Sequence, residues 1–169
     1  MISEGRVWTF GDEINTDLII PGRYLDNYDP SHLAKHAMEG ASREFAAGVR
    51  PGDIIVAGSN FGCGSSREQA VTALKSAGVS AVVAKSFARI FYRNAINLGM
   101  PVVESQEAQG SFSDGDRAVI DLDLGCLSSI DGLKKTYLKD IPPNAKKILA
   151  NGGLVPYLRQ KTDGQRKTQ

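Results

Sequence analysis

A chain of 169 residues is long enough for one domain whose core folds without disulfide or metal support, and a second full domain is not expected. Its 20 lysines and arginines are almost balanced by 19 aspartates and glutamates, so no overall basic field favours nucleic acid or an anionic membrane. Two cysteines are too few for a disulfide scaffold, and no apolar run reaches the ~18 residues that span a bilayer, so we expect a reduced, cytoplasmic setting.

The first third of the chain is predicted to hold one strand and one helical region. Residues 5–10 alternate loosely around Val7, Trp8 and Phe10, which is typical of a strand, and residues 11–17 follow as a polar loop. Between Ser31 and Phe45 apolar residues recur at helical spacing, which predicts one helix or two short ones.

The middle third alternates strands with helices. Residues 53–58, 81–84 and 100–103 are short apolar runs that predict strands, and residues 67–77 and 87–96 have the apolar spacing of helices. Gly78 is predicted to end the first of these helices. This order predicts parallel strands joined by right-handed crossovers, so the fold class is α/β.

The last third has a different character. Residues 116–122 alternate apolar and charged side chains, which predicts a strand with one exposed face, and residues 132–138 predict another. Residues 142–149 predict a closing helix capped by Asn151, Gly152 and Gly153. We therefore predict a single domain over residues 1–160 and a polar, frayed tail over residues 161–169.

Residues 59–69 form the most distinctive turn, with small residues, two adjacent hydroxyls and a guanidinium before a predicted helix. Glycines let the backbone approach a ligand closely, and a helix N-terminus offers N–H groups to an anion. Arg67 adds a fork that matches a carboxylate. The alternative is structural, with Ser65 as the helix N-cap and Glu68 as its capping-box partner.

Three blocks of the sequence resemble a known family. Residues 11–17, 58–69 and 84–97 closely resemble the small subunits of isopropylmalate isomerase and of its homoaconitase relatives, which are stand-alone versions of the swivelling last domain of aconitase. The resemblance implies a single three-layer β/β/α domain that docks on a large subunit as a heterodimer. It also implies that the large subunit carries a 4Fe-4S cluster and that this chain binds no metal.

The resemblance further implies a hydro-lyase of leucine biosynthesis that moves a hydroxyl between adjacent carbons of a small hydroxy dicarboxylate. By motif matching, Ser65 is the base, and Ser66 and Arg67 bind substrate carboxylates. Thr16 and Asp17 lie in the first matched block. They are expected either to line the substrate cleft or to cap a helix or stabilise a turn.

The sequence is compatible with more than one role for several further residues. Arg89 and Arg93 are expected to brace loops or the partner interface, with substrate contact as the alternative. His32 and His36 lie four apart on a predicted helix, but a third metal ligand is not evident. Cys63 is expected to be a small residue that fills the turn.

The resemblance also implies that a loop contacts the variable part of the substrate; its residues are Tyr24, Leu25, Asp26 and Asn27. Relatives that take homocitrate resemble one another in having an arginine where this chain has Asp26, which repels a carboxylate. A dicarboxylate with an apolar branch, such as isopropylmalate, is therefore expected. Dimethylmalate, citramalate and, through an inward Arg23, homocitrate are alternatives.

Two other function classes are weaker alternatives. A non-catalytic binding module that recognises RNA is disfavoured by the balanced charge and by the intact Ser65-Ser66-Arg67 set. A self-contained serine hydrolase lacks an evident base, because both histidines lie in a predicted helix that is remote in sequence.

Overall fold

The computed structural model describes residues 1–166, and its strands join in one hydrogen-bonded sheet of order β4-β3-β2-β1-β5-β6-β7. The strands are β1 Ile2–Thr9, β2 Ile54–Ala57, β3 Ala81–Ala84, β4 Val102–Glu104, β5 Arg117–Asp121, β6 Cys126–Ser129 and β7 Lys135–Tyr137. The helices are α1 Thr16–Ile19, α2 Pro30–Ala34, α3 Phe45–Gly48, α4 Glu68–Ala77, α5 Arg89–Asn97, α6 Ala108–Ser111, α7 Pro143–Ala150 and α8 Leu154–Arg166, with a 3₁₀ turn at Gly22–Tyr24.

Strand β1 joins a parallel half of the sheet to an antiparallel half. Its residues 7–9 pair in parallel with β2, whereas residues 2–6 pair antiparallel with β5. Every residue of β2 and β3 is buried, as expected for parallel strands covered on both faces. Strands β5 and β7 alternate buried and more exposed residues, as antiparallel strands with one wetter face do.

The antiparallel half folds back over the parallel half. The amide of Lys139, just after β7, donates to the carbonyl of Glu104 in β4 at 2.8 Å. The buried hydroxyls of Ser105 and Thr136 lie 3.2 Å apart, and α6 contacts β2, β3 and β7. Helices α2, α4, α5, α7 and α8 contact one another in succession and form the third layer. The architecture is therefore the expected α/β fold with β/β/α layers.

The parallel order predicted for the middle of the chain is confirmed, since β2 pairs with β3 and β3 with β4, both in parallel. Helix α4 ends at Gly78, which has a φ of 106° and the left-handed conformation that glycine adopts without a Cβ penalty. Helix α5 begins two residues later than predicted, because Phe87 pairs with Phe61 in an isolated β-bridge.

The single long helix considered for residues 31–45 is wrong. Helix α2 ends at Ala34, the chain turns, and α3 begins only at Phe45. Met38 has a φ of 58°, which ends any right-handed helix, and Gly40 lies so close to α1 that an added Cβ would be 2.7 Å from Leu18 Cα. A contact with a distant part of the chain therefore overrides the local apolar spacing.

The C-terminal third contains two elements that we did not predict, β6 and α8. Helix α8 runs through Arg166, so residues 161–166 are helical where a frayed tail was expected, and residues 167–169 lie outside the described residues. Pro156 falls in the first turn of α8, where its missing N–H breaks no helical hydrogen bond. Within residues 1–166, no helix combines the length and the apolar character that crossing a membrane requires.

Candidate active site

The three sequence blocks meet at one edge of the sheet. Because β1, β2 and β3 are parallel, their C-terminal ends lie at the same edge, and the loop after each strand begins there. The Asp12 carboxylate accepts from the Ser59 amide at 2.7 Å, which ties the first loop to the second. The Phe61 amide donates to the Ser86 carbonyl at 3.0 Å, which ties the second loop to the third.

A cavity of about 440 Å³ lies where these loops meet. It is lined by Thr16, Gly62, Gly64, Ser65, Ser66, Arg67, Ala88, Arg89, Ile90, Phe91 and Arg93. Three of these residues carry guanidinium groups and none carries a carboxylate. The local charge is therefore positive although the chain as a whole is almost neutral, which suits a small polyanion.

The capping-box interpretation of Ser65 is wrong. Helix α4 begins at Glu68, its N-cap is Arg67, and no side chain caps it. Ser65 lies two residues before that N-cap, and its carbonyl accepts from the Thr16 hydroxyl at 3.0 Å. The side chains of Ser65 and Ser66 are exposed. Within residues 1–166, neither hydroxyl and none of the amides of residues 65–67 has a hydrogen-bond partner.

The backbone path of this turn depends on glycine. Gly62 has a φ of 80° and Gly64 a φ of 91°, a region that side chains with a Cβ rarely adopt. A Cβ on Gly62 would lie 2.1 Å from Cγ of the buried Phe91, so the turn lies directly against α5. This close packing brings Ser65 beside the start of α5.

Asp17 and α1 hold Arg67 in place. The Arg67 Nη1 donates to Asp17 Oδ1 at 2.6 Å and to the Ile20 carbonyl at 3.2 Å. The Arg67 side chain is 15% exposed, whereas that of Asp17 is 63% exposed. Of the two residues matched to cleft lining, Thr16 lines the cavity, whereas Asp17 pairs with Arg67 and is not part of the lining.

Arg89 and Arg93 lie four residues apart on α5, so both project from one face of that helix, and both line the cavity. In the described part of the chain neither forms an ion pair, in contrast to Arg67. The sequence prediction favoured a bracing role for them. Their four-residue spacing beside the distinctive turn was the signal that could have indicated a shared site.

The loop that the resemblance matched to substrate selection lies beside the cavity and does not line it. Tyr24 stacks on His36 with ring centroids 3.6 Å apart, and its hydroxyl donates to Glu39 Oε1 at 2.9 Å. Leu25 packs against the core, while Asp26 and Asn27 are exposed.

Arg23, considered earlier as an inward cation, pairs instead with the carboxylate of Glu39. Its guanidinium also lies 4.7 Å from the centre of the Tyr24 ring. In this arrangement Arg23 therefore points to Glu39 and does not line the cavity.

Neither the histidines nor the cysteines assemble with other ligands in the described residues. His36 Nδ1 hydrogen-bonds Glu39 Oε2 at 2.7 Å and His32 lies edge-on to His36, but no group of three or more His, Cys, Asp or Glu side chains is placed to hold a metal ion. Cys63 is a partly exposed free thiol in the turn, and Cys126 is a buried free thiol on β6.

Comparisons with known proteins place the chain in one family. Residues 44–108 match the family described as the aconitase C-terminal domain. The 3-isopropylmalate dehydratase small subunit of Nautilia profundicola is 55% identical, over 92% of this chain and 93% of the relative. The methanogen homoaconitase small subunit of Methanothermobacter thermautotrophicus is 53% identical, over 96% of this chain and 94% of the relative.

A solved structure is similar along its whole length. The crystal structure of a 3-isopropylmalate dehydratase from Methanocaldococcus jannaschii superposes with a TM-score of 0.95 at 48% identity, and each chain is covered over 100% of its length. Several further relatives that are about half identical are also named as 3-isopropylmalate dehydratase small subunits. The chain therefore belongs to the 3-isopropylmalate dehydratase small-subunit family, whose domain is the aconitase C-terminal domain.

Proposed function

We propose that this chain is the small subunit of a 3-isopropylmalate dehydratase, a hydro-lyase that interconverts 2- and 3-isopropylmalate in leucine biosynthesis. The names of its relatives support the reaction. The observation that carries the site assignment is the exposed Ser65, which caps no helix and lies in a cavity with three guanidinium groups. The proposal includes a large-subunit partner and a cytoplasmic setting.

Ser66 and Arg67 are proposed to bind a substrate carboxylate. Asp17 and the Ile20 carbonyl both use Nη1 of Arg67, and within residues 1–166 the Nε and Nη2 donors make no hydrogen bond. These two donors form the fork that binds a carboxylate in a bidentate pair. Arg89 and Arg93 supply positive charge for the second carboxylate of a dianion.

Ser65 is proposed to remove the proton from the carbon that neighbours a substrate carboxylate. A serine hydroxyl is ordinarily far too weakly acidic to act as an alkoxide base, so its oxyanion needs stabilisation. The unpaired amides that precede α4 and the positive end of that helix provide it, with the guanidinium of Arg67 nearby. In the reverse direction Ser65 Oγ returns the proton to carbon.

The iron-sulfur cluster is proposed to belong to the large subunit. Cluster ligation takes three or four thiolates, whereas this chain has two cysteines, one in the turn and one buried on β6. The residues of this chain therefore do not fit a cluster. When bound by the partner, a 4Fe-4S cluster would supply the Lewis acid for the departing hydroxyl.

The substrate is proposed to be a dicarboxylate. Asp26 is exposed and would repel a third carboxylate, and Arg23 is already paired with Glu39. A 3-isopropylmalate dehydratase small subunit and a methanogen homoaconitase small subunit are about equally similar to this chain. Overall identity therefore does not distinguish isopropylmalate from homocitrate as the substrate. A panel of isopropylmalate, dimethylmalate, citramalate and homocitrate does separate them. Preference for homocitrate would contradict the interpretation of Asp26.

The test is turnover by the chain reconstituted with its large subunit, followed through the ultraviolet absorbance of the unsaturated intermediate. We expect Ser65→Ala to lower kcat by at least about 100-fold, because general base catalysis contributes that much or more. Ser113→Ala is the matched control, since Ser113 is an exposed serine in a turn outside the cavity. Turnover by Ser65→Ala within a few fold of the wild type would disprove the assignment of the base.

A further inference from the structure

Residues 23–28, here called the recognition segment, are bounded at both ends by the candidate active site. Gly22 comes just before the segment, and a Cβ added to it would lie 3.9 Å from Arg67 Nη2. Tyr28 ends the segment and shares with Ser66 the lining of a second cavity, which the first turn of α4 also lines. The two ends of the segment therefore lie near Arg67 and Ser66, the residues proposed to bind a substrate carboxylate.

A single carboxylate, that of Glu39, binds this segment from outside the cavity. Its Oε1 accepts from the Tyr24 hydroxyl at 2.9 Å and forms an ion pair with Arg23. Its Oε2 accepts from His36 Nδ1 at 2.7 Å. Tyr24 also contacts the other two partners of Glu39, because its ring stacks on His36 and the Arg23 guanidinium lies 4.7 Å from its centre.

Glu39 lies in a turn that is fixed to the active-site scaffold. The Met38 amide donates to the Ile19 carbonyl at 2.7 Å, and the Gly40 amide donates to the Leu18 carbonyl at 3.2 Å. Both carbonyls belong to α1, the helix that also carries Asp17, the partner of Arg67. Helix α1 therefore positions both Arg67, through Asp17, and the turn that carries Glu39.

The contacts made by Glu39 are partly exposed, so their contribution to global stability is small but not zero. The side chain of Arg23 is 64% exposed and that of Glu39 is 27% exposed, and exposed ion pairs contribute little to folding. The Glu39 carboxylate contacts Arg23 and Tyr24 of the recognition segment and the His36 ring that stacks on Tyr24. Three contacts to one carboxylate restrict the position of the segment more than they stabilise the whole fold.

We propose that Glu39 is a positioning residue that fixes the recognition segment, and through it the part of the site that selects the substrate. This inference rests on the proposed function, in which Asp26 of this segment disfavours a substrate with a third carboxylate. Glu39 itself lines neither of these two cavities.

Two measurements on the variant Glu39→Ala test the inference. The first is steady-state kinetics of the reconstituted holoenzyme on isopropylmalate and citramalate. We expect KM for isopropylmalate to rise about tenfold, kcat to stay within about threefold, and the preference between the two substrates to narrow, because a misplaced loop weakens binding more than chemistry.

The second measurement is trypsin cleavage after Arg23 in the full-length small subunit under native conditions. Native-state cleavage reports local opening, so we expect Glu39→Ala to be cut there at least about tenfold faster than the wild type. Glu44→Ala is the matched control, because Glu44 is a nearby exposed glutamate without a side-chain hydrogen bond or ion pair to the described residues. Glu39→Asp, which keeps the charge, is expected to recover part of both effects.

The outcomes separate the two proposals. If the wild-type holoenzyme turns over no member of the substrate panel, the proposed function fails, while the cleavage rate still decides whether Glu39 anchors the segment. If the wild type is active and Glu39→Ala leaves KM, substrate preference and cleavage within about twofold of the Glu44→Ala values, the inference about Glu39 is wrong.

Discussion

Replacing Gly62 with alanine would test whether the active-site turn depends on its close packing against α5. The new Cβ would lie 2.1 Å from Cγ and 2.4 Å from Cβ of Phe91, far inside normal contact distance. Phe91 is 3% exposed and lies edge-on to Phe61 at 5.3 Å, so it can turn aside only by leaving this packing and entering the cavity that it lines. Either the turn or the aromatic cluster has to move.

Two costs add in this variant. A residue with a Cβ at a φ of 80° costs about 1–2 kcal/mol. Forcing extra volume into a packed core costs about 1–3 kcal/mol more. The sum of about 2–5 kcal/mol is a large part of the ~5–15 kcal/mol by which a domain is typically stable. Because the same turn carries Ser65, we expect turnover to fall together with stability.

Urea unfolding of the small subunit measures the stability, with Gly64→Ala as the matched control. Gly64 has a similar φ of 91°, but its nearest atom would be Thr16 Oγ1 at 3.5 Å, so only the backbone cost of about 1–2 kcal/mol applies. Adding Phe91→Ala to Gly62→Ala removes the clash, so the double variant should be less destabilised than the sum of the single ones. Equal loss of stability in the two glycine variants would refute the packing argument.

Three further predictions concern the charged groups. We expect Arg67→Lys to raise KM at least about tenfold in steady-state kinetics, because an ammonium cannot form the bidentate pair; an unchanged KM would exclude Arg67 as a carboxylate ligand. We expect Arg93→Gln to raise KM and to weaken its dependence on salt concentration, whereas Arg159→Gln, on the exposed face of α8, should change neither. Hydrogen bonds from His36, Tyr24 and Arg23 lower the pKa of Glu39, so its carboxylate makes a small contribution to folding stability at neutral pH and loses it as the pH falls below about 4.5. The difference in urea stability between wild type and Glu39→Gln should therefore shrink on acidification; a constant difference would contradict the assigned cause.

Local signals in the sequence were sufficient where neighbours along the chain determine the structure. The end of α4 at Gly78 followed from a single glycine that can adopt a φ of 106°. The buried strands β2 and β3 followed from short apolar runs, and their parallel pairing from the helix between them. The resemblance brought together three blocks, and hydrogen bonds between their loops now give the physical reason for their association.

Long-range contacts decided the features that the sequence did not reveal. Ser65 fits a capping box locally, but Asp17, fifty residues away, holds Arg67, and Arg67 is the residue that becomes the N-cap. Likewise the apolar spacing of residues 31–45 indicates a helix, but the packing of Gly40 on Leu18 requires a turn. Neither contact has a signature in the local sequence.

The positive cavity also gives a reason why the proposed large subunit would contribute more than an iron-sulfur cluster. A pair of unit charges 4 Å apart attracts by about 1 kcal/mol in water and about 4 kcal/mol near a protein surface from which water is partly excluded. Here Ser65, Ser66 and Arg89 are exposed and Ile90 is 45% exposed, so water reaches the site freely. A large subunit that covers this rim would remove that water and strengthen each guanidinium–carboxylate attraction. It would also desolvate the serine oxyanion, so the same closure that tightens substrate binding makes the proposed base stronger.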